Sequence, residues 1–160
     1  MSTYKIFFGA TSDLAKHLIT SIDSSSQHFI LHAKNKQKLM QLNDSLQSKD
    51  NNILLDCDLV KLDHIKWQQW SDLFANNDIK INAWYWCVGL QKKLTPLMHY
   101  QMHTFFEEIH VNLISATALF KLCIPFMLAN SKLILIYKDK AQALSAGHSI
   151  AAGGISRLAQ

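Results

Sequence analysis

Proline, glycine and cysteine are all scarce in this chain of 160 residues, which has 2 prolines, 5 glycines and 3 cysteines. So few chain-breaking residues exclude a low-complexity or collagen-like protein, and so few cysteines exclude a disulfide-stabilised scaffold. Cys57, Cys87 and Cys123 are widely spaced, form no CxxC pair and stand in apolar surroundings. We expect three buried free thiols, and therefore a protein of the reducing cytoplasm.

Long apolar runs and a concentrated charge of one sign are also missing. No segment reads as the ~18 consecutive apolar residues that cross a bilayer, and residues 1–9 lack the charged start and long apolar stretch of a secretory signal. The net charge is +4, but the lysines are scattered and form no basic stripe between aromatic side chains. These absences predict a protein that contacts neither a membrane nor a nucleic acid.

What the chain does have is an alternation of short apolar runs with segments of helical periodicity. The runs predicted to be strands are 5–8, 29–33, 53–55, 82–88 and 133–137. Between them, the predicted helical stripes are Leu14/Leu18/Ile22, Leu39/Leu42/Leu46 and Ile65/Trp70/Leu73/Phe74. The length suits one domain with a substantial core. This order predicts an α/β fold, a doubly wound parallel sheet of about five strands with helices on both faces.

The longest predicted helix covers residues 97–128, and a final helix begins near His148. The apolar face expected for the long helix consists of Met98, Met102, Phe105, Ile109 and Leu113. Pro125 predicts that this helix bends or ends in its last turns. Its polar flank is His99, His103, Glu107 and His110, which we interpret as solvated because no additional metal-binding motif accompanies it.

The stretch Tyr4–Ala15, YKIFFGATSDLA, joins an apolar run to an amphipathic helix through a glycine. A strand that turns through such a loop into a helix presents backbone N–H groups to a phosphate. The residues expected around that phosphate are Gly9, Thr11, Ser12, Asp13 and Leu14. In a GxxxGxG loop, Asp13 takes the second glycine place. Its carboxylate either favours the helix dipole and points outward, or repels a pyrophosphate.

Polar residues after the next strands point to the rest of a dinucleotide. Lys34 follows the second strand, where a cation favours the 2′-phosphate of NADP over NAD, although a solvated lysine at a helix start has the same sequence pattern. Asp58 follows the third strand and is placed to meet an adenine amino group. The segment after the fourth strand completes the crevice with Cys87, Val88 and Gly89, because strands one and four flank the order reversal of such sheets.

These segments together resemble the short-chain dehydrogenase/reductase family. GATSDLA resembles its glycine loop, WCVGL its segment after strand four, and HVNLISATALFKLCIPFM its helix with a conserved asparagine. The resemblance implies a Rossmann fold that binds NAD(P)(H). It also implies that Asn112 is the structural asparagine that holds a helix irregularity and a proton-relay water.

The family's Tyr-x-x-x-Lys pair is not found in this sequence. None of the four tyrosines has a lysine four residues later, and by the resemblance His148 takes the tyrosine place and Ala152 the lysine place. The family's serine falls on or near Lys138. By the resemblance the candidate catalytic residues are Asn112, His148 and Lys138, with His148 able to donate a proton near neutral pH.

The resemblance also concerns the end of the chain, since the family continues with further strands and a substrate-covering part. We expect residues 1–160 to be a single dinucleotide-binding domain without those elements. Its fifth strand is then an exposed edge, and a homodimer through this strand and the last helix is one expectation. The alternative is that the small residues from Ala151 to Gly154 pack against the chain's own core.

Three functions follow from the sequence. The first is an NADP(H)-binding protein with a degenerate active site that binds without efficient catalysis. The second is a divergent NADPH-dependent carbonyl oxidoreductase that uses His148 as its acid. The third is an assembly domain from which Asp13 excludes nucleotide.

Overall fold

The computed structural model describes residues 2–89, 97–136 and 146–158. Its strands are β1 (Thr3–Phe8), β2 (Phe29–Ala33), β3 (Ile53–Asp56), β4 (Lys80–Trp86) and β5 (Met127–Leu135). Its α-helices are α1 (Asp13–Ile22), α2 (Lys36–Asp44), α3 (His64–Asn76), α4 (Met102–Ile109), α5 (Ser115–Cys123) and α6 (Ala146–Leu158). A π-helical turn, His110–Ile114, joins α4 to α5.

The five strands form one parallel sheet in the order β3-β2-β1-β4-β5. The chain moves outward from β1 to β3, returns to the centre, and continues on the other side through β4 and β5. The doubly wound α/β fold predicted from the sequence is therefore confirmed. Strands β1 and β4 are neighbours at the point where the order reverses, which is where such sheets bind ligands.

Apolar side chains fill both faces of the sheet, because each parallel strand is covered by helices on either side. Along β1 the side chains alternate: Ile6 and Phe8 belong to the core on one face, and Phe7 to the core on the other. The first core also holds Trp84 and Trp86, whose rings stack 5.6 Å apart. Burial of these large aromatic side chains stabilises the packing of the helices on the sheet.

The predicted helical stripes are correct in part. Leu39, Leu42 and Leu46 are buried as expected. Two predictions are wrong, because Leu14 is 51% exposed and Ile65 is 56% exposed. In α1 the fully buried positions are Ala15 and Ile19. A leucine-based stripe misses alanine, although a small residue is what a helix needs where it packs closely on a sheet.

The long helix begins and ends differently from the prediction. It starts at Met102 and ends in the 3₁₀ turn Ile124–Phe126, so that residues 127 and 128 belong to β5. Pro125 lies in that last turn, as predicted. The expected apolar face is wrong at its first two residues, since Met98 is 85% exposed and Met102 is 60% exposed, whereas Leu113 packs against the core. The side chains buried instead include Val111, Ala116, Leu119 and Cys123.

The segment Met102–Phe126 is also the one stretch of the described chain that is long and apolar enough to cross a membrane, with a mean hydropathy of 1.5. The expectation that no such segment exists is therefore wrong by length and composition. In the structure, this helix packs Ala116, Leu119 and Cys123 against the sheet with no exposure. A core helix of an α/β domain passes the same test.

Candidate functional site

The carboxyl ends of β3, β2, β1 and β4 lie side by side along one edge of the sheet. Phe8 at the end of β1 pairs with His32 of β2 and with Trp86 at the end of β4. Ala33 pairs with Asp56 at the end of β3. The loops that follow these strands therefore converge on one cleft of about 540 Å³.

Most of the cofactor-binding residues predicted from the sequence line this cleft. They are Gly9, Thr11, Ser12, Lys34, Asp58, Cys87, Val88 and Gly89. Asp13 and Leu14 do not line it. The cleft is also lined by residues that the sequence reasoning missed, namely His32, Ala33, Cys57, Leu59, Val60, Lys61, Glu107 and Val111. Two of the missed residues could have been found from their neighbours in the sequence. Val111 directly precedes the predicted site residue Asn112, and Lys61 lies three residues after Asp58.

Gly9 is required where it stands by both conformation and space. Its φ is +81°, in the left-handed region that glycine adopts without cost. A Cβ there would lie 2.8 Å from the backbone carbon and oxygen of Cys87 and 2.9 Å from the nitrogen of Val88. The loops after β1 and β4 therefore touch through backbone at the edge of the cleft, and only glycine permits this close approach.

The start of α1 faces the cleft while its acidic residue faces solvent. The Ser12 side chain caps the helix by accepting from the Ala15 N–H at 3.3 Å. The Asp13 side chain is fully exposed and lies 3.8 Å from Lys16. The outward orientation is therefore the observed one of the two alternatives for Asp13. The first-turn N–H groups of Asp13 and Leu14 have no intrahelical acceptor, as at every helix start.

Lys34 and Asp58 form an ion pair across the loops that follow β2 and β3. The Lys34 Nζ lies 2.8 Å from the Asp58 Oδ2, with the side chains 74% and 22% exposed. The hydrogen bond to Asp58 raises the pKa of Lys34. Burial opposes ionisation of Asp58, but hydrogen bonds from Lys34 and from the Val60 N–H, together with the positive charges of Lys34 and Lys61, hold the pKa of Asp58 below its ordinary value. Both groups are therefore charged at neutral pH.

His32 lies beneath the cleft rather than in solvent. Its ring is within 6 Å of Phe8 and Trp70, with centroids 5.4 and 5.7 Å away, and its Nε2 lies 3.0 Å from the Cys57 carbonyl oxygen. Burial lowers the pKa of His32 to about 4. The ring is therefore neutral at physiological pH, so Nε2 donates to that carbonyl and ties the ends of β2 and β3 together.

Two of the three cysteines are not buried as expected. Cys57 and Cys87 are half-buried in the wall of the cleft, and only Cys123 is buried in the core. All three are free thiols. Burial raises the pKa of Cys57 and of Cys123 and raises that of Cys87 to about 11. The thiols in the cleft wall are thus protonated, weakly polar surfaces at neutral pH.

Of the three candidate catalytic residues, Asn112 has a described side chain. Asn112 is 6% exposed and lies in the π-helical turn between α4 and α5. Lys138 lies outside the described residues. His148 lies in α6, and its side chain is outside the described part of the structure.

A buried carboxylate near α6 escaped the sequence reasoning. Glu108 is fully buried and accepts a hydrogen bond from the Tyr100 hydroxyl. A Cβ on Gly147 would lie 2.6 Å from the Glu108 Oε2, so α6 approaches α4 closely at this glycine. No local signal marks Glu108, because its partners come from other segments.

The sequence left open whether the small residues of α6 pack against the chain's own core, and the structure describes where two of them lie. Ala151 is fully buried, and a Cβ on Gly154 would lie 2.8 Å from Leu113 Cδ1. These two positions pack against the chain's own core. Gly153 is exposed, and a Cβ there would meet nothing within 4 Å.

The histidine-rich flank predicted beside the long helix is divided by the structure. His99 belongs to a separate 3₁₀ turn, Leu97–His99, so it does not share a helix with His103. Within the described ranges, no three histidine, cysteine or acidic side chains are grouped closely enough to hold a metal.

Solved structures described as short-chain dehydrogenases superpose on this chain. One from Shigella flexneri 2a str. 301, complexed with NADP, has a TM-score of 0.86 and 13% identity over 98% of this chain and 68% of its own. One from Escherichia coli CFT073, complexed with NADPH, has a TM-score of 0.84 and 14% identity over 98% of this chain and 68% of its own. A family member from Francisella tularensis has a TM-score of 0.80 and 13% identity over 99% and 61%.

The chain has the short-chain dehydrogenase fold. It spans about two thirds of the length of these structures. No protein-family model and no curated protein matches the sequence. The similarity is therefore one of three-dimensional structure, and the site residues must be judged on their own geometry.

Proposed function

We propose that this chain binds NADP(H) in the cleft at the carboxyl ends of its strands. The observation that carries the proposal is the arrangement of Gly9 and Lys34 on one cleft. Gly9 lies in the loop that leads into α1, and Lys34 supplies a cation in the loop after β2. Structures of the same fold from S. flexneri and E. coli are complexed with NADP and NADPH, which supports the same ligand here.

The described residues fit the parts of such a dinucleotide. Gly9 brings the loops after β1 and β4 together beside the start of α1, whose N–H groups favour the negative charge of a pyrophosphate. Lys34 supplies a cation for a 2′-phosphate, which NAD lacks. Leu59 and Val111 supply apolar surface for a base, and Asp58 supplies a carboxylate oxygen that accepts from an amino group. The bound cofactor would supply hydride; the chain's own residues bind and orient it.

Binding without efficient carbonyl reduction is the second part of the proposal, for residues 1–160 as a single dinucleotide-binding domain. None of the 160 residues forms a Tyr-x-x-x-Lys pair, and by the resemblance Ala152 takes the place of the lysine. Loss of one member of a proton-transfer unit removes most of its catalytic effect. Asn112 remains in its helix irregularity, which fits descent from a catalytic fold.

The first experiment is a titration of the purified protein with NADPH and NADH by calorimetry. We expect saturable binding that is tighter for NADPH, and a loss of that preference in Lys34→Ala. Lys36→Ala is the matched control, because Lys36 is exposed at the start of α2 and does not line the cleft. Absence of binding at millimolar cofactor, or equal effects of the two substitutions, contradicts the proposal.

Catalysis is tested separately by NADPH oxidation with a panel of aldehydes and ketones. The proposal expects turnover no faster than the buffer control. Carbonyl reduction that His148→Ala abolishes, with NADPH affinity unchanged, establishes instead the divergent oxidoreductase with His148 as its acid.

A homodimer through β5 and α6 is the third part of the proposal. Among the described strands β5 is an edge of the sheet, and unpaired strand edges associate with other chains unless covered. Leu128 on β5 is 39% exposed and Ile150 on α6 is 55% exposed. Sedimentation velocity should show a dimer that Leu128→Lys dissociates; a monomer at all concentrations contradicts this part.

A further inference from the structure

The charges at the β2–β3 end of the cleft cancel one another. Lys34 and Lys61 line it with positive charge, and Asp58 and Glu107 line it with negative charge. The carboxylates come from different elements, since Asp58 follows β3 and Glu107 lies on α4. A ligand phosphate entering this end therefore meets a neutral set of side chains rather than a basic patch.

The cation best placed for a 2′-phosphate is already engaged. Asp58 uses its two oxygens differently: Oδ2 contacts the Lys34 Nζ at 2.8 Å, and Oδ1 accepts from the Val60 N–H at 3.2 Å. The backbone contact fixes the carboxylate to the loop, and Asp58 is only 22% exposed while Lys34 is 74% exposed. The lysine is therefore the solvent-exposed partner of the pair, and the carboxylate is the partner bonded to the backbone.

We propose that Asp58 limits discrimination between NADPH and NADH by acting as a fixed counter-ion to Lys34. This inference rests on the proposed function. An ammonium group has three N–H donors and can serve a carboxylate and a phosphate together. The phosphate then lies close to the Asp58 charge, and repulsion between like charges weakens its binding. NADH has no phosphate there and escapes this repulsion, so the affinity ratio of the two dinucleotides stays small.

The variant Asp58→Asn distinguishes a counter-ion to Lys34 from a residue that contacts the adenine base of the dinucleotide. Asparagine keeps an oxygen for the Val60 N–H, so the turn Leu59–Lys61 is retained. Losing a contact to the adenine amino group weakens NADPH and NADH equally and leaves their ratio unchanged. Losing the counter-ion strengthens NADPH alone. We expect the Kd(NADH)/Kd(NADPH) ratio to rise about fivefold, the size expected for one partly exposed charge.

The experiment measures both dissociation constants by calorimetry for the wild type, Asp58→Asn, Lys34→Ala and the control Asp50→Asn. Asp50 is exposed before the amino end of β3, away from the cleft. The ratio should rise in Asp58→Asn, fall about tenfold in Lys34→Ala, and stay constant in Asp50→Asn. Glu107→Gln provides a second carboxylate variant, for which a smaller rise is expected because Glu107 acts on Lys34 through charge alone.

The outcomes distinguish this inference from the proposed function. An unchanged ratio in Asp58→Asn, with both affinities lowered, assigns Asp58 to the base and overturns the inference. A ratio that falls as in Lys34→Ala shows that Asp58 merely positions the lysine and also overturns it. In both cases the wild type still binds NADPH, whereas failure of the wild type to bind either dinucleotide overturns the proposed function itself.

Discussion

The two ends of the cleft differ in how their polar groups are held. At the β3 end, formed by Gly9, Ser12, His32, Lys34 and Asp58, each polar side chain contacts a partner within one or two loops. At the β5 end, Val88 and Gly89 line the cleft, while Asn112 is buried in the π-helical turn and α6 packs closely on α4.

This difference follows from what each task requires of the chain. A dinucleotide is recognised piece by piece, and one loop after each strand can supply each contact independently. Proton transfer needs several side chains from distant segments within hydrogen-bond reach of one atom. Under the proposed function, dinucleotide binding therefore tolerates sequence divergence that proton transfer does not, and the two ends can be tested separately.

Gly9→Ala should have the largest effect, because Gly9 anchors the β3 end to the loop after β4. An alanine has an unfavourable φ of +81° and places its Cβ 2.8 Å from backbone atoms of Cys87. We expect a loss of about 3 kcal/mol in the free energy of unfolding, from the left-handed conformation and the backbone contact together. Urea unfolding followed by tryptophan fluorescence measures it.

Gly153→Ala is the matched control for that substitution at the β5 end. A Cβ at Gly153 meets nothing within 4 Å, and the position is an exposed helix interior. Alanine should stabilise α6 by about 0.5–1 kcal/mol. If both substitutions destabilise the protein equally, the contrast between an anchored loop and an open helix surface is wrong.

His32 gives the β3 end a pH dependence of stability. The pKa of His32 is lowered by burial from 6.5 to about 4, so between these values the unfolded chain binds a proton that the folded chain does not. Stability is complete above pH 6.5 and decreases as the pH falls toward 4, by about 3 kcal/mol in total. Unfolding free energies of wild type and His32→Gln should converge as the pH falls across this range.

The control for the pH dependence is His17→Gln, which changes an exposed residue of α1. Its stability should follow the wild-type pH profile. A His32→Gln profile as steep as that of the wild type would assign the acid sensitivity to other groups.

Tyr100→Phe tests the β5 end, where Glu108 is buried without exposure. The substitution removes a hydroxyl donor from the carboxylate, and a buried acceptor that loses a partner costs about 1–2 kcal/mol. The affinity for NADPH should stay the same, because neither residue lines the cleft. Tyr4→Phe serves as the control, and an affinity change in Tyr100→Phe would show that the two ends are coupled.

Asp13→Asn should have the smallest effect of all. The Asp13 side chain is fully exposed and contacts Lys16 at 3.8 Å, and such surface pairs contribute about 0–1 kcal/mol. NADPH affinity should change by less than about twofold. A tenfold gain in affinity on calorimetry would mean that this carboxylate faces the phosphates and would revive the idea that it excludes nucleotide.

The sequence predicted the sheet well because its signals are local. Apolar runs bounded by glycine or polar residues place strands, and polar residues after successive strands converge whenever the sheet is parallel. Lys34 and Asp58 could thus be assigned to one cleft before their contact was known. Their ion pair could not, because it depends on the separation of two loops that the sequence does not specify.

Other features had no local signal at all. The pair of Glu108 and Gly147 joins segments 39 residues apart, and neither residue type marks a contact by itself. The exposure of Met98 and Met102 followed from a helix that starts later than its apolar pattern. The departure from 3.6 residues per turn at His110–Ile114 also carried no sequence signal.

That π-helical turn has a consequence for anyone who edits this chain. It contains one residue more than an α-helical turn, so it acts as an insertion already accommodated by the fold. Deleting one residue between positions 110 and 114 would restore an unbroken α-helix and leave the faces of α4 and α5 close to their present directions, because the π turn absorbs the extra residue. Glu107 and Glu108 would keep their faces, whereas Asn112 would lose the irregular turn in which it is buried. A one-codon deletion here is therefore a milder change than a deletion inside α4, which would rotate the residues before it by about 100°.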